Sequence, residues 1–87
     1  MNMKAEPTPN PNAMKFTALD GPLFEGRVMA KKGDDPDHEL LKQLLAIEGV
    51  DNLFGFQDFL TVNKTMDADW NALMPKIEEA FASYIKG

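Results

Sequence analysis

Val50-Asp51-Asn52-Leu53-Phe54-Gly55-Phe56-Gln57-Asp58-Phe59-Leu60-Thr61-Val62-Asn63-Lys64 is the stretch on which the fold turns. Val50 to Phe54 and Phe59 to Lys64 are rich in β-branched and aromatic residues, and Gly55-Phe56-Gln57-Asp58 separates them. The pattern predicts a hairpin with a four-residue loop. A helical pattern lies on either side. Upstream, Asp35 followed by Pro36 predicts a helix start, an aspartate cap with proline at the first helical position. Leu40, Leu41, Leu44 and Leu45 then fall on one face, and Gly49 supplies the stop. Downstream, Thr65-Met66-Asp67 leads into a second helix that Asp67 would cap. Its apolar stripe is Trp70, Leu73, Met74, Ile77, Ala80, Phe81, Tyr84 and Ile85. Pro75 cannot bond the carbonyl of Asn71, so a kink is expected there. The stripe runs straight across Pro75, which favours one kinked helix over two.

Toward the N-terminus, Met14 to Leu19 reads as a short strand, with Lys15 and Thr17 alternating with Phe16 and Ala18. Asp20-Gly21-Pro22 is a turn signal. Leu23 to Ala30 reads as a second strand, in which Gly26 marks a bulge or a close backbone approach. These two strands are expected to pair as a hairpin, and Lys31 to Asp35 is a polar connection. The expected order is ββαββα: an α+β, two-layer domain spanning residues 1–87, its antiparallel hairpins forming a sheet covered by two helices. Residues 1–6 are expected to be a flexible lead-in.

An 87-residue chain, 44% hydrophobic and 26% charged, suits one small core. It has no apolar run near the ~20 residues of a membrane span, and Met1 to Glu6 leads into prolines without a signal-peptide apolar core. A cytoplasmic location and no membrane partner are expected. The net charge is −5, and among nine scattered basic residues only Lys31 and Lys32 are adjacent, which argues against nucleic acid. The absence of cysteine excludes disulfides, thiolate catalysis and any cluster held on this chain's thiolates.

Thr8-Pro9-Asn10-Pro11-Asn12-Ala13-Met14-Lys15-Phe16 is a stiff segment, because each proline fixes its own φ and pushes Thr8 or Asn10 into extended geometry. Asn10 to Ala13 suits a tight turn, with Pro11 second and the Asn10 amide accepting backbone N–H bonds. The run T-P-N-P-N-x-x-K-F resembles the opening of the N-terminal domain of the Nfu (NifU-like) iron–sulfur scaffold proteins. Leu44 to Val50, Asp58 to Lys64 and Asp69 to Ile77 fit the same family pattern in the same order. The resemblance implies work in iron–sulfur cluster assembly, as a non-enzymatic accessory or partner-recognition domain. The family holds its cluster on a C-x-x-C motif in a separate C-terminal domain. For this cysteine-free chain the resemblance therefore implies no cofactor of its own, iron or a cluster being met only through a partner. That partner would be a cysteine-bearing iron–sulfur scaffold or an apo target.

Other candidate chemistry is sparse. Asp34, Asp35, Asp37, His38 and Glu39 form the densest group of potential ligands. Asp34, Asp37 and His38 would carry the alternative function, a stand-alone iron or divalent-metal-binding protein with carboxylate and histidine ligands. Favourable interaction with a helix dipole explains the same acids without a metal. No catalytic motif is present, and capping or first-turn placement accounts for Asp67 and Asp69. The methionines Met29 and Met74 read as core fillers. Of Phe54, Phe56 and Phe59, two are expected to lie inward, leaving Phe56 at the rim. The expected partner surface is made by the Pro-Asn turn and nearby strand ends, Asn10, Pro11, Asn12, Lys15 and Phe56: Asn10, Asn12 and Lys15 would supply polar contacts and Phe56 an apolar one.

Overall fold

The period-2 alternation of the strand segments builds a five-stranded antiparallel sheet in a computed structural model that describes residues 3–19 and 22–86. The elements are β1 (Met3–Pro7), β2 (Ala13–Ala18), β3 (Arg27–Lys31), α1 (Glu39–Leu45), β4 (Val50–Phe56), β5 (Phe59–Lys64) and α2 (Trp70–Lys86). The sheet order is β1-β2-β5-β4-β3. Both helices pack on one face, giving the two-layer α+β architecture.

Several local expectations change. Residues 3–7 are not a loose lead-in but an edge strand, paired with β2 from Met3 opposite Ala18 to Pro7 opposite Met14. An edge position tolerates Pro7, because its missing N–H costs no ladder bond on the open side. The element order is therefore βββαββα. The expected hairpin of the second and third strands does not form. β2 bonds β1 and β5, while β3 bonds β4 at the far edge. The segment between them spans three strand spacings, ~14 Å. Leu23 and Phe24, expected in a strand, are instead buried in this crossing, and their N–H groups both donate to the Gln57 carbonyl at 2.7 and 2.9 Å. Residues 20 and 21 of the expected Asp20-Gly21-Pro22 turn lie outside the described residues.

The β4–β5 hairpin forms, but its loop is Gln57-Asp58 alone, with Gln57 in the left-handed region at φ 54°. Asp51 is a bulge between Val50 and Asn52. The extra residue lets Val50 and Leu53, three apart, both face the core. Gly55 carries the close approach that was expected at Gly26. A Cβ on Gly55 would lie 2.6 Å from Phe24 Cε2 and 2.9 Å from Val28 Cγ2, whereas one on Gly26 would meet nothing within 4 Å.

The helices begin later than expected. Asp34 Oδ2 accepts from the Lys31 N–H at 3.0 Å, and the chain stays non-helical to His38. His38 is the cap, its Nδ1 accepting from Leu40 N at 3.3 Å in place of Asp35. The Lys32 ammonium donates to the carbonyls of Leu45, the last residue of α1, and of Ile47 just beyond it, where cations are favoured. Gly49 (φ 103°) turns the chain into β4. In α2 the cap is Asp69, which accepts from Asn71 N at 3.0 Å, and not Asp67. The helix runs unbroken through Pro75. Leu73, Ile77, Ala80 and Phe81 meet Phe16, Leu53, Leu60, Val62 and the leucines of α1 in one core, where the Phe16 and Phe81 rings lie 5.6 Å apart. Ile85, also assigned to that stripe, lies outside the described side chains.

Candidate functional site

Residue parity sends every second strand residue to the face that the helices leave bare. Register then sets these residues side by side in rows across the sheet. One row runs Lys4, Thr17, Phe59, Phe56, Arg27 from β1 to β3. The next runs Glu6, Lys15, Thr61, Phe54, Met29. A third ends with Asn63, Asn52, Lys31. Phe54, Phe56 and Phe59 thus share one face. Alternation puts Phe54 and Phe56 on the same side, and the two-residue turn sets Phe59 directly opposite Phe56. The expectation that two of them lie inward fails because it assumed a four-residue loop. Gly55 takes the inward position between Phe54 and Phe56.

The three rings form one cluster, with centroids 6.1 Å apart for Phe54–Phe59 and 6.4 Å for Phe56–Phe59. Phe54 and Phe59 are half-buried, Phe56 is 41% exposed, and Met29 beside them is 71% exposed. Met29 is therefore not a core filler; its edge-strand parity points it away from the helices. The Lys15 ammonium lies 4.7 Å from the Phe59 ring centroid, a cation–π placement that holds it over the cluster.

The structure sets Lys15 and Phe56 on this face and Asn10, Pro11 and Asn12 beyond the far end of β2 from the aromatic cluster. The expected turn forms there: Ala13 N donates to Asn10 O at 3.0 Å and Asn12 N to Asn10 Oδ1 at 2.9 Å. The Thr8 hydroxyl bonds the same loop. Trp70 Nε1 donates to the Pro11 carbonyl at 3.0 Å, and Lys64 Nζ to Asn12 Oδ1 at 2.9 Å. The turn is thereby fastened to the start of α2.

The possible metal ligands do not converge. Asp34, Asp35 and Asp37 are exposed, the Asp34 carboxylate being turned back onto the Lys31 N–H, and among the described residues no three His, Cys, Asp or Glu side chains are close enough to share an ion. His38 directs Nδ1 at Leu40 N and Nε2 at the Tyr84 hydroxyl, 3.4 Å away, between the rings of Phe24 and Tyr84. Asp67 lies in the short loop that leads into α2. The Thr65 hydroxyl, 2.7 Å away, holds its exposed carboxyl below the usual carboxylate value, helped by a backbone hydrogen bond and by Lys64. This is loop geometry beside the α2 cap rather than a buried catalytic group. Among the described residues no helix is long and apolar enough to cross a membrane.

In the sequence Met29, Phe54 and Phe59 stand as apolar residues directly beside the core positions Ala30, Leu53 and Leu60, so no apolar–polar alternation says which face they take. Reading that face required the strand pairing, which local pattern does not supply.

A family model described as "Scaffold protein Nfu/NifU N terminal" matches residues 3–87. A conserved virulence factor C of Staphylococcus aureus is 35% identical over 92% of this chain, which spans 21% of that protein. The mitochondrial NifU-like protein of Saccharomyces cerevisiae is 34% identical over 88% of this chain, which spans 33% of it. Among solved structures, the crystal structure of protein SAV1430 from S. aureus superposes with a TM-score of 0.80 at 33% identity, covering 93% of this chain and 99% of that one. The solution structure of the S. cerevisiae NifU-like protein gives 0.79 at 32% identity, over 94% of this chain and 76% of that one.

Proposed function

The chain belongs to the family of Nfu/NifU scaffold N-terminal domains, and from that premise we propose that it is a non-enzymatic partner-recognition domain of cytoplasmic iron–sulfur cluster assembly. Its partner is a cysteine-bearing scaffold or an apo target protein, and iron reaches it only through that partner. The observation that carries the proposal is the bare sheet face with Phe54, Phe56, Phe59 and Met29 clustered on it. Apolar side chains gathered on an uncovered face mark an interaction surface, and an exposed aromatic at its centre is a common anchor. Lys15 and Phe56 make contacts in this scheme, while Asn10, Pro11 and Asn12 fix the start of β2 on which Lys15 sits.

Adding an unlabelled cysteine-bearing Nfu scaffold to the ¹⁵N-labelled domain is expected to shift the amides of Lys15, Phe54, Phe56 and Phe59. Phe56→Ala should weaken the complex at least tenfold, the loss of a hot-spot aromatic. Shifts confined to α1 and α2, or none at all, would reject the proposal.

A further inference from the structure

We infer that the bare face takes an extended acidic segment of its partner, with an apolar side chain seated among Phe54, Phe56 and Met29 and a carboxylate on either side. The inference rests on the docking role proposed for this face and adds the chemistry of what docks. The chain as a whole carries −5, yet the strand residues of this face include four cations, Lys4, Lys15, Arg27 and Lys31, against two acids, Glu6 and Asp51, the latter accepting from the Asn52 side chain. Glu6 lies 3.8 Å from Lys4 Nζ. The other described acids sit on loops, turns and helices, including Asp34, Asp37, Asp58, Glu78 and Glu79. The strand residues of this face thus carry a net positive charge on a chain that is negative overall.

The cations are also placed to bracket the aromatics. Lys15 stands on β2 to one side, and Arg27 and Lys31 stand on β3 to the other, with β5 and β4 between them. Arg27 is opposite Phe56 in register, and Met29 is opposite Phe54. From β2 to β3 is three strand spacings, ~14 Å, which is the length of about four residues of extended chain. In an extended segment residues i, i+2 and i+4 share one side. A partner segment of the form Glu-x-Leu-x-Glu, laid across the strands, therefore sets its leucine over Phe54 and Phe56 while its carboxylates reach Lys15 and Arg27. Electrostatic complementarity of this kind fixes register and raises the association rate.

Single-stranded nucleic acid would use aromatics and cations too, but it needs open ring faces for stacking. Here Phe54 and Phe59 are half-buried, Lys15 already occupies a face of Phe59, and Asp51 on β4 and Asp58 in the hairpin turn stand exposed. The face suits one apolar anchor flanked by carboxylates better than a run of bases.

The probe is the heptapeptide Gly-Glu-Ser-Leu-Ser-Glu-Gly, acetylated and amidated, titrated into the ¹⁵N-labelled domain. Saturable shifts at Lys15, Arg27, Phe54 and Phe56 are expected, weakening severalfold between about 50 and about 300 mM salt. The double variant Lys15→Glu/Arg27→Glu should bind it at least tenfold more weakly and should gain binding to the peptide with lysines in place of both glutamates. Both substitutions are on exposed or half-exposed strand positions, and an unchanged spectrum on the helical side checks folding. Equal binding of the glutamate and lysine peptides by the unsubstituted domain, or no binding up to about 5 mM, would overturn the inference. So would tighter binding of oligouridylate, or shifts of the same amides on concentrating the domain alone, which would show a second copy as the occupant. If the cysteine-bearing scaffold still shifts this face in the charge-reversed variant, the docking role stands and the acidic segment falls. If neither scaffold nor peptide shifts it, both fall.

Discussion

The two faces of the sheet are made by the same strands and differ in nothing but residue parity. On β4 and β5 the inward residues Leu53, Gly55, Leu60 and Val62 are all buried, and both helices lie over that side. The outward residues of the same strands, Phe54, Phe56, Phe59 and Thr61, are half-buried or exposed. Size alone would have favoured the phenylalanines for the core. Instead these two strands give leucine and valine to the core, with a glycine where the Phe24 ring must come close. Stability and recognition are thus divided between alternate residues of one hairpin. A substitution therefore affects mainly one or the other.

The largest expected effect is on the covered side. Leu60 is fully buried at the centre of the sheet, and Leu60→Ala should lower stability by about 2–5 kcal/mol in urea unfolding. Phe56→Ala, removing a larger side chain from the bare side, should cost less than about 1 kcal/mol while weakening the partner complex. Equal losses in the two variants would break the division between faces. Gly55→Ala comes next. Its new methyl would lie 2.6 Å from Phe24 and 2.9 Å from Val28, so overpacking should cost about 1–3 kcal/mol. An unchanged unfolding midpoint would show that the Phe24 loop moves aside freely.

The covered side was much the more legible from the sequence. The leucines of α1, the stripe of α2 and the paired runs of β4 and β5 follow from periodicity, which is a local property. β1 escaped notice because Met3-Lys4-Ala5-Glu6-Pro7 has low strand propensity; β2 supplies the pairing that its composition does not announce. The β2–β3 hairpin was a wrong inference from a turn signal. Asp20-Gly21-Pro22 says that the chain bends, whereas the destination of β3 is set by where Leu23 and Phe24 find burial. The bare side depends on such non-local pairings altogether. The phenylalanines were conspicuous, but their common face appears only when the hairpin register places Phe59 opposite Phe56.

A third test sharpens the comparison at the join between the faces. The Pro-Asn turn is fastened to α2 by the Trp70 indole N–H on the Pro11 carbonyl, across the end of the sheet. Trp70→Phe keeps a ring near Lys64, which lies 5.9 Å from the indole centroid, but removes the donor. The expected loss is about 1 kcal/mol. Hydrogen exchange should quicken at Asn12 and Ala13 and stay unchanged at Phe54 and Phe56. Faster exchange at the phenylalanines would mean that the turn stabilises the docking face directly.

The smallest effect belongs to a site on neither face, and its value is as a control on both. Asp67 is exposed, and its carboxyl is held below the ordinary value first by the Thr65 hydroxyl, then by a backbone hydrogen bond and by Lys64. A group whose pKa is lower in the folded chain contributes stability above its unfolded value, near ~3.9, and loses it as the pH falls through the folded value. Thr65→Val removes the largest cause. The variant should therefore melt slightly below the unsubstituted domain at neutral pH, and the gap should close in strong acid, where the carboxyl is protonated in both states. Peptide binding at the bare face should not change at neutral pH. A gap that persisted undiminished in acid below the folded value would assign it to lost packing or backbone propensity at Thr65, because linkage through Asp67 is absent once the carboxyl is protonated in both states.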